Sequence, residues 1–215
     1  MEFDDFITNT GYIFLITNTL VFITSYTKKD KVLKYFILYL LLCLFIQLYS
    51  HYLSSLGEHN LFLSHYFFIG QFLFLSLFFS TLYQFKKYKN LNRFLTFAVV
   101  LVFAIYLKAN PKAYEKWNVL EIAITSIPLI IYSFYFFIKN LDNNSDKKYI
   151  YFNAGFFVYT LCSTLIFTIG NLGSKEIKSY AWLFNNTLYL VFQILIFVEW
   201  YKNFRKPLRL KRYLN

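Results

Sequence analysis

Charge is the scarcest commodity in this sequence. Only 15% of its 215 residues are Asp, Glu, Lys or Arg, while 58% are hydrophobic; an ordinary soluble domain is about 25% charged. A chain of this length has no interior large enough to hide so much apolar surface from water, so a soluble globule is excluded and lipid is the implied solvent. The mean hydropathy of +0.43 agrees.

Other shortages exclude particular chemistries. There are two cysteines. Cys43 and Cys162 both lie inside long apolar runs, where they make neither a disulfide framework nor a zinc site and read as packing residues. Six scattered glycines leave no loop to cradle phosphates. Of three histidines, only His51 and His65 fall on helical stretches, too few to build an intramembrane zinc hydrolase. The spacing of His51, His59 and His65 is not a ligand pattern, so no metal site is expected. A retinal protein needs a lysine within its last helix, and the run 179–201 has none. Pro111, Pro128 and Pro207 are followed by Lys, Leu and Leu, so the Pro-Gln signature of one transporter class is missing as well. No cofactor is expected.

Aromatic side chains make up 24% of the chain, led by 28 Phe and 20 Tyr. Apolar runs bounded by charges and turn residues fall at about 6–26, 32–53, 61–84, 92–108, 117–138, 149–170 and 179–201. Each is long enough to cross hydrocarbon as a helix that satisfies its own backbone. The predicted fold is therefore all-α, a polytopic seven-transmembrane-helix bundle forming a single domain. Seven spans of about 20 residues occupy roughly 140 positions, which leaves only short connections and a basic tail at 202–215. The first run follows Met1-Glu2-Phe3-Asp4-Asp5, which has no basic residue, and contains Thr8, Asn9 and Asn18; it is expected to be a retained helix, not a cleaved signal.

Basic residues set the expected orientation, because Lys and Arg near helix ends stay on the cytoplasmic side. One side collects Lys28, Lys29, Lys31 and Lys34, then Lys86, Lys87, Lys89 and Arg93, then Lys139, Lys147 and Lys148, then Lys202, Arg205, Lys206, Arg209, Lys211 and Arg212. That is 17 of the 22 basic residues. The N-terminus is thus expected outside and the C-terminus inside, in a cell inner membrane. The net charge of +11 is a cytoplasmic collar and tail, with the lipid bilayer as partner and no nucleic acid. The tail suits anionic headgroups, or the docking of a cytoplasmic signalling protein such as a histidine kinase.

Polar groups inside lipid are costly and point by default to function. Asn18, Gln47, Gln71, Thr160, Ser163 and Gln193 form an expected inward stripe over several helices, read either as interhelical hydrogen bonding or as a polar pathway. The acidic residues within the runs are Glu121 and Glu199, and Glu199 is close enough to the collar for Lys202 to neutralise it. Glu121 lies about one turn below the expected outer interface, at the height of His51 and His65. The candidate ligand site is therefore Glu121, His51 and His65, with Trp182, Asn185 and Asn186 from the seventh helix. A carboxyl group beside an imidazole there would change charge near pH 5 to 8, where histidine ordinarily switches. No catalytic residue emerges.

A shift of 116 residues aligns Asp30-Lys31 with Asp146-Lys147, Tyr35-Phe36 with Tyr151-Phe152, Phe68 with Phe184 and Lys86 with Lys202, suggesting two three-helix units joined by the fourth helix. The segment Lys147-Lys148-Tyr149-Ile150-Tyr151-Phe152-Asn153-Ala154-Gly155, with Ser179 to Asn186 and the closing Trp200-Tyr201-Lys202, resembles small seven-helix inner-membrane proteins of bacteroidete-type bacteria. Those resemble the membrane-sensor portions found with two-component kinases. The resemblance implies a sensor or regulatory subunit that passes an outer or intramembrane signal to a cytoplasmic partner, and it implies no catalytic residues. A small-solute transporter or channel and an intramembrane lipid-active enzyme stay open as alternatives.

Overall fold

Each apolar run folds as one α-helix: α1 (Phe3–Ser25), α2 (Lys31–Ser55), α3 (Phe62–Leu82), α4 (Lys89–Ala109), α5 (Val119–Asn140), α6 (Ile150–Gly170) and α7 (Lys175–Glu199). A 3₁₀ turn, Pro111–Glu115, precedes α5, and a π-helical turn, Trp200–Phe204, extends α7. The computed structural model describes residues 3–27, 30–83, 89–115, 117–140, 147–170 and 175–205. The basic tail beyond Arg205, and Lys28, Lys29, Lys86 and Lys87 of the expected collar, lie outside the described residues.

Among the described residues, seven helices are long and apolar enough to cross a membrane, the architecture of a multi-pass membrane protein. The helices overrun the apolar stretches, most clearly at α1 and α7. Hydropathy marks the part that suits hydrocarbon, whereas the backbone ladder continues wherever capping allows. Asp4 and Asp5 complement the N-terminal dipole of α1. Asp30 caps α2 by accepting the Leu33 amide at 2.9 Å. Gly57, at φ 72°, closes α2 in a conformation that a side chain would disfavour. Pro128 lies within α5 without ending it.

Six helices form a closed ring in the order α1, α2, α3, α5, α6, α7 and back to α1, while α4 stands outside and packs on α3. The outward surface of the ring and of α4 is apolar: Leu20, Phe45, Ile131 and Leu165 on the ring and Leu101 and Ile105 on α4 are largely exposed, as contact with lipid tails requires. The centre is aromatic. Phe36, Phe78, Phe79, Phe152, Phe156 and Phe192 are fully buried and touch one another, with Phe36 and Phe152 at 4.7 Å in an edge-to-face contact. They lie on the bundle axis, in the half nearer the end at which α2 and α6 begin, termed here the basic end.

Small residues permit close packing at two places. A Cβ on Gly155 would fall 2.8 Å from Phe192 Cδ2, and one on Gly70 would fall 2.6 Å from Leu42 Cδ2. The absence of a GxxxG pattern therefore does not keep α6 and α7 apart, because one glycine facing a Phe suffices.

Parallel α1 and α7 are joined by three polar rungs. Asn186 Nδ2 donates to Asp4 Oδ1 and Thr8 Oγ1, Asn18 Nδ2 donates to the Gln193 carbonyl and Oε1 at 2.9 and 3.0 Å, and Trp200 Nε1 donates to Ser25 Oγ at 3.1 Å. Across α5 and α6, Ser133 Oγ donates to Asn153 Oδ1 at 2.8 Å while Asn153 Nδ2 donates to the Ser133 carbonyl at 3.0 Å. For Asn18 and Gln193, interhelical hydrogen bonding is what the stripe does.

Glu199 corrects an expectation. Its buried carboxylate accepts the backbone amides of Tyr149 and Tyr151 at 2.6 and 2.9 Å, with Phe152 at 3.5 Å and Asn203 Nδ2 at 2.7 Å. Lys202 is exposed. Glu199 is thus the cap of α6, supplied from α7, and not the neutralised partner of Lys202: an N-terminus carries unpaired amides and a partial positive charge that a carboxylate satisfies directly. The cap also holds Tyr149 at φ 69°, an uncommon backbone conformation for a residue with a side chain.

Candidate functional site

The other end of the ring is open. A cavity of about 490 Å³ lies between α1, α2, α3, α6 and α7 where the chain begins. Helix phase decides who reaches it. α1 presents Asp4, Asp5, Thr8 and Tyr12, α2 presents Gln47, Ser50, His51 and Ser54, and α7 presents Trp182, Asn185, Asn186 and Tyr189, in each case residues three, four or seven apart. Tyr159 from α6 and Trp117, just before α5, complete the aromatic part of the wall.

Local bonds hold the rim. The turn after α2 swings Asn60 back so that Nδ2 donates to Ser50 Oγ at 3.0 Å and to its carbonyl at 3.2 Å. Tyr12 meets the His51 ring edge-on at 5.6 Å, and Trp117 packs against Phe167 at 5.4 Å. At the floor, Tyr159 and Tyr189 lie 5.7 Å apart, above the aromatic centre. Asn185 Oδ1 is buried without a hydrogen-bond partner, and the buried Tyr189 hydroxyl faces Gln193 without a well-formed hydrogen bond. An orphaned acceptor lining a cavity costs free energy unless something that enters the cavity satisfies it.

Glu121 and His65 meet elsewhere. His65 Nδ1 and Glu121 Oε2 are 2.7 Å apart, with the two side chains 1% and 0% exposed. Asn118 Oδ1 accepts the Leu120 and Glu121 amides, capping α5 and placing Glu121 in its first turn. Tyr114 covers the imidazole edge-on at 5.6 Å and stands beside Tyr66, their hydroxyls 3.4 Å apart. His65 Nε2 and Glu121 Oε1 have no partner.

Neither member of this pair lines the cavity, although Ser64, Phe67 and Phe68 of α3 do. Each step along a helix turns the side chain by about 100°, so when α3 offers Ser64 and Phe68 to the cavity it offers His65 to α5. The six candidate residues are therefore divided into the pair Glu121 and His65 between α3 and α5, and the cavity-lining group His51, Trp182, Asn185 and Asn186. Of the stripe, Gln47 reaches the cavity, Gln71 and Thr160 are buried with Oε1 and Oγ1 unpaired, and Ser163 bonds back to the Thr160 carbonyl. Asp4, Asp5, Tyr12, Tyr159 and Tyr189 were not singled out as site residues by the sequence. Asp4 and Thr8, one turn apart on α1, were the available signal.

At the basic end a smaller cleft of about 310 Å³ is lined by Asp30, Tyr83, Lys139 and Lys148 among others. The buried phenylalanines separate it from the cavity. Among the described residues no cluster of three or more His, Cys, Asp or Glu side chains could hold a metal ion. No protein-family model, curated protein or solved structure matches the chain.

Proposed function

We propose that the chain is an integral membrane sensor or regulatory subunit of a cell inner membrane, with the cavity and N-terminus outside and the basic end in the cytoplasm. A ligand or proton received at the outer end alters the packing of the ring, and a cytoplasmic signalling protein such as a histidine kinase reads the change at the basic face. The observation that carries this reading is the one-sided cavity: open, lined by both polar and aromatic side chains and flanked by an orphaned acceptor at one end, and closed below by fully buried phenylalanines. A receptor needs an entrance and no exit. The His65 and Glu121 pair, joining α3 to α5 one turn from the same end, supplies an element whose proton position would change the attraction between two ring helices.

Orientation is tested by reporter fusions. Those after Lys29, Lys89, Asn144 and Arg212 should read as cytoplasmic and those after Glu58, Lys112 and Lys175 as external; a cytoplasmic signal at Glu58 overturns the assignment. Signalling is tested by Glu121→Gln, which should abolish the pH or ligand response of the partner while expression and insertion persist. An unaltered response removes Glu121 from the mechanism.

A second reading, a small-solute transporter, is favoured by one observation. Phe36 and Phe152, equivalent under the 116-residue shift, meet at the bundle centre, and exclusion of α4 leaves a ring in which α1, α2, α3 correspond in order to α5, α6, α7. Two such halves rocking about the phenylalanine contact would open the cavity to the other side. Solute flux in reconstituted vesicles, abolished by cross-linking α2 to α6, separates this reading from the first.

A further inference from the structure

We infer that the cavity selects a small organic cation with an apolar body, such as a primary amine or quaternary ammonium compound. The inference rests on the cavity being a ligand site, and it holds whether occupancy is signalled or transported.

Three independent features of the wall agree. The first is charge. The chain carries a net charge of +11, yet the charged side chains lining the cavity among the described residues are two carboxylates, Asp4 and Asp5, with no lysine or arginine. On α7 the backbone positions of Lys175 and Lys178 precede the cavity-lining Trp182 by seven and four residues, roughly 10 and 6 Å along the axis. Among the described side chains the wall of the cavity is thus acidic on a basic protein, which favours a cation over an anion.

The second feature is aromatic. Tyr12, Trp117, Trp182, Tyr159 and Tyr189 line one space, and ring faces attract a cation whose own surface is apolar. The edge-on contacts of Tyr12 with His51 and of Trp117 with Phe167 use ring edges on one side of the wall, and Tyr159 is tilted against Tyr189 at the floor. A bare metal ion would instead require a cluster of oxygen or nitrogen ligands, and among the described residues none exists.

The third feature is the orphaned acceptor. Asn185 is 5% exposed, lines the cavity and leaves Oδ1 unpaired. Oδ1 itself is enclosed, and a turn of the Asn185 amide toward the cavity gives it an ammonium N–H, or the polarised C–H of a quaternary ammonium, as partner. A hydrocarbon ligand leaves it unsatisfied. The volume of about 490 Å³ suits an ammonium carrying a ring or a short chain.

The experiment uses the full chain in nanodiscs of zwitterionic lipid and follows tryptophan emission, since Trp117 and Trp182 line the cavity and Trp200 is at the opposite end as constant background. Four probes are titrated: phenyltrimethylammonium, choline, the neutral choline isostere 3,3-dimethylbutan-1-ol, and benzoate. Both cations should bind saturably, choline about tenfold more tightly than its isostere, with no saturable benzoate signal. Asp4→Asn with Asp5→Asn should weaken cation binding about tenfold and leave the isostere unchanged. Asp5→Asn alone, at an exposed side chain, should give a smaller part of the same loss. Equal affinity for the isostere, tighter binding of benzoate, or no saturable cation signal overturns the inference.

A parallel measurement separates failure of the ligand class from failure of the cavity. Ser54→Cys should react faster with a cationic than with an anionic methanethiosulfonate after correction for intrinsic rates and for Cys43 and Cys162. The preference should collapse in the double Asn variant. Reaction with an anionic preference overturns the cation assignment and keeps the cavity, whereas a thiol that reacts with neither reagent overturns the cavity and with it the proposed receptor.

Discussion

At the basic end of the bundle Glu199 takes the first amides of α6, Tyr83 donates its hydroxyl to the Tyr132 carbonyl, Tyr132 in turn donates to Asn92, and Asn92 donates to Ser80. Toward the cavity end His65 Nε2, Glu121 Oε1 and Asn185 Oδ1 are buried and unpaired, as are Gln71 Oε1 and Thr160 Oγ1 midway along α3 and α6. Asn18 Oδ1, Ser76 Oγ and Gln193 Nε2, in the half nearer the basic end, are buried and unpaired too, so the difference lies in the capping and hydroxyl network that closes one end and the cavity that opens the other. In hydrocarbon, where no water is at hand to compensate, such a difference is expensive to maintain. It teaches that stability and recognition are separated along the bundle axis: the closed end fixes the ring, and the open end keeps the groups that a ligand or proton can use.

The comparison is broken most severely at Glu199. Glu199→Ala strips the α6 amides of their acceptor in a buried place, and a loss of about 3 kcal/mol is expected in reversible unfolding in mixed micelles. Glu199→Gln, which keeps one acceptor oxygen, should lose clearly less. If both variants unfold like the parent, the cap is not what secures the closed end.

Phe152→Ala comes next. Between lipid and protein the transfer of apolar surface contributes little, so the cost is mainly the vacated space, about 2 kcal/mol. Phe67→Ala at the cavity wall, where empty space already adjoins the ring, should cost well under half of that by the same measurement. Equal losses would deny the distinction between the two ends.

Two glycines sharpen the contrast further. Gly155→Ala presses a methyl group against Phe192 and Leu195 at 2.8 and 3.0 Å, for an expected loss of about 1–2 kcal/mol. Gly11→Ala meets Tyr189 at an ordinary 3.6 Å and should be neutral or gain up to about 1 kcal/mol from helix propensity. The smallest effect is expected for Tyr189→Phe, which removes a hydroxyl that faces Gln193 without a well-formed hydrogen bond and should shift stability by less than about 0.5 kcal/mol, while altering the tryptophan-detected binding of choline. A large destabilisation there would mean that the hydroxyl is bonded after all.

Sequence patterns reached the bundle more surely than the site. The seven apolar runs correspond to seven helices because hydrocarbon thickness and backbone satisfaction act on each segment by itself. The Gln47 and His51 pair, one turn apart on α2, does line one cavity. The relation between helices was not legible in the same way. Asn18 and Gln193 were both visible as polar residues in apolar runs, yet nothing in either segment says that they bond to each other. The Glu199 expectation failed for a similar reason: Lys202 is near in sequence, but the amides of α6 are nearer in space and are fixed there by the fold.

What the sequence alone determined is therefore local: seven helices suited to lipid, their approximate limits, the scarcity of charge within them and the crowding of basic residues toward alternate connections. The tertiary structure decided which helices are neighbours, left α4 outside the ring, and split the expected site by turning His65 toward α5 while Ser64 and Phe68 face the cavity. The physical reason is angular. Hydropathy depends on which residues a segment contains, whereas a site depends on the rotation of each helix about its axis, which only packing against its neighbouring helices fixes.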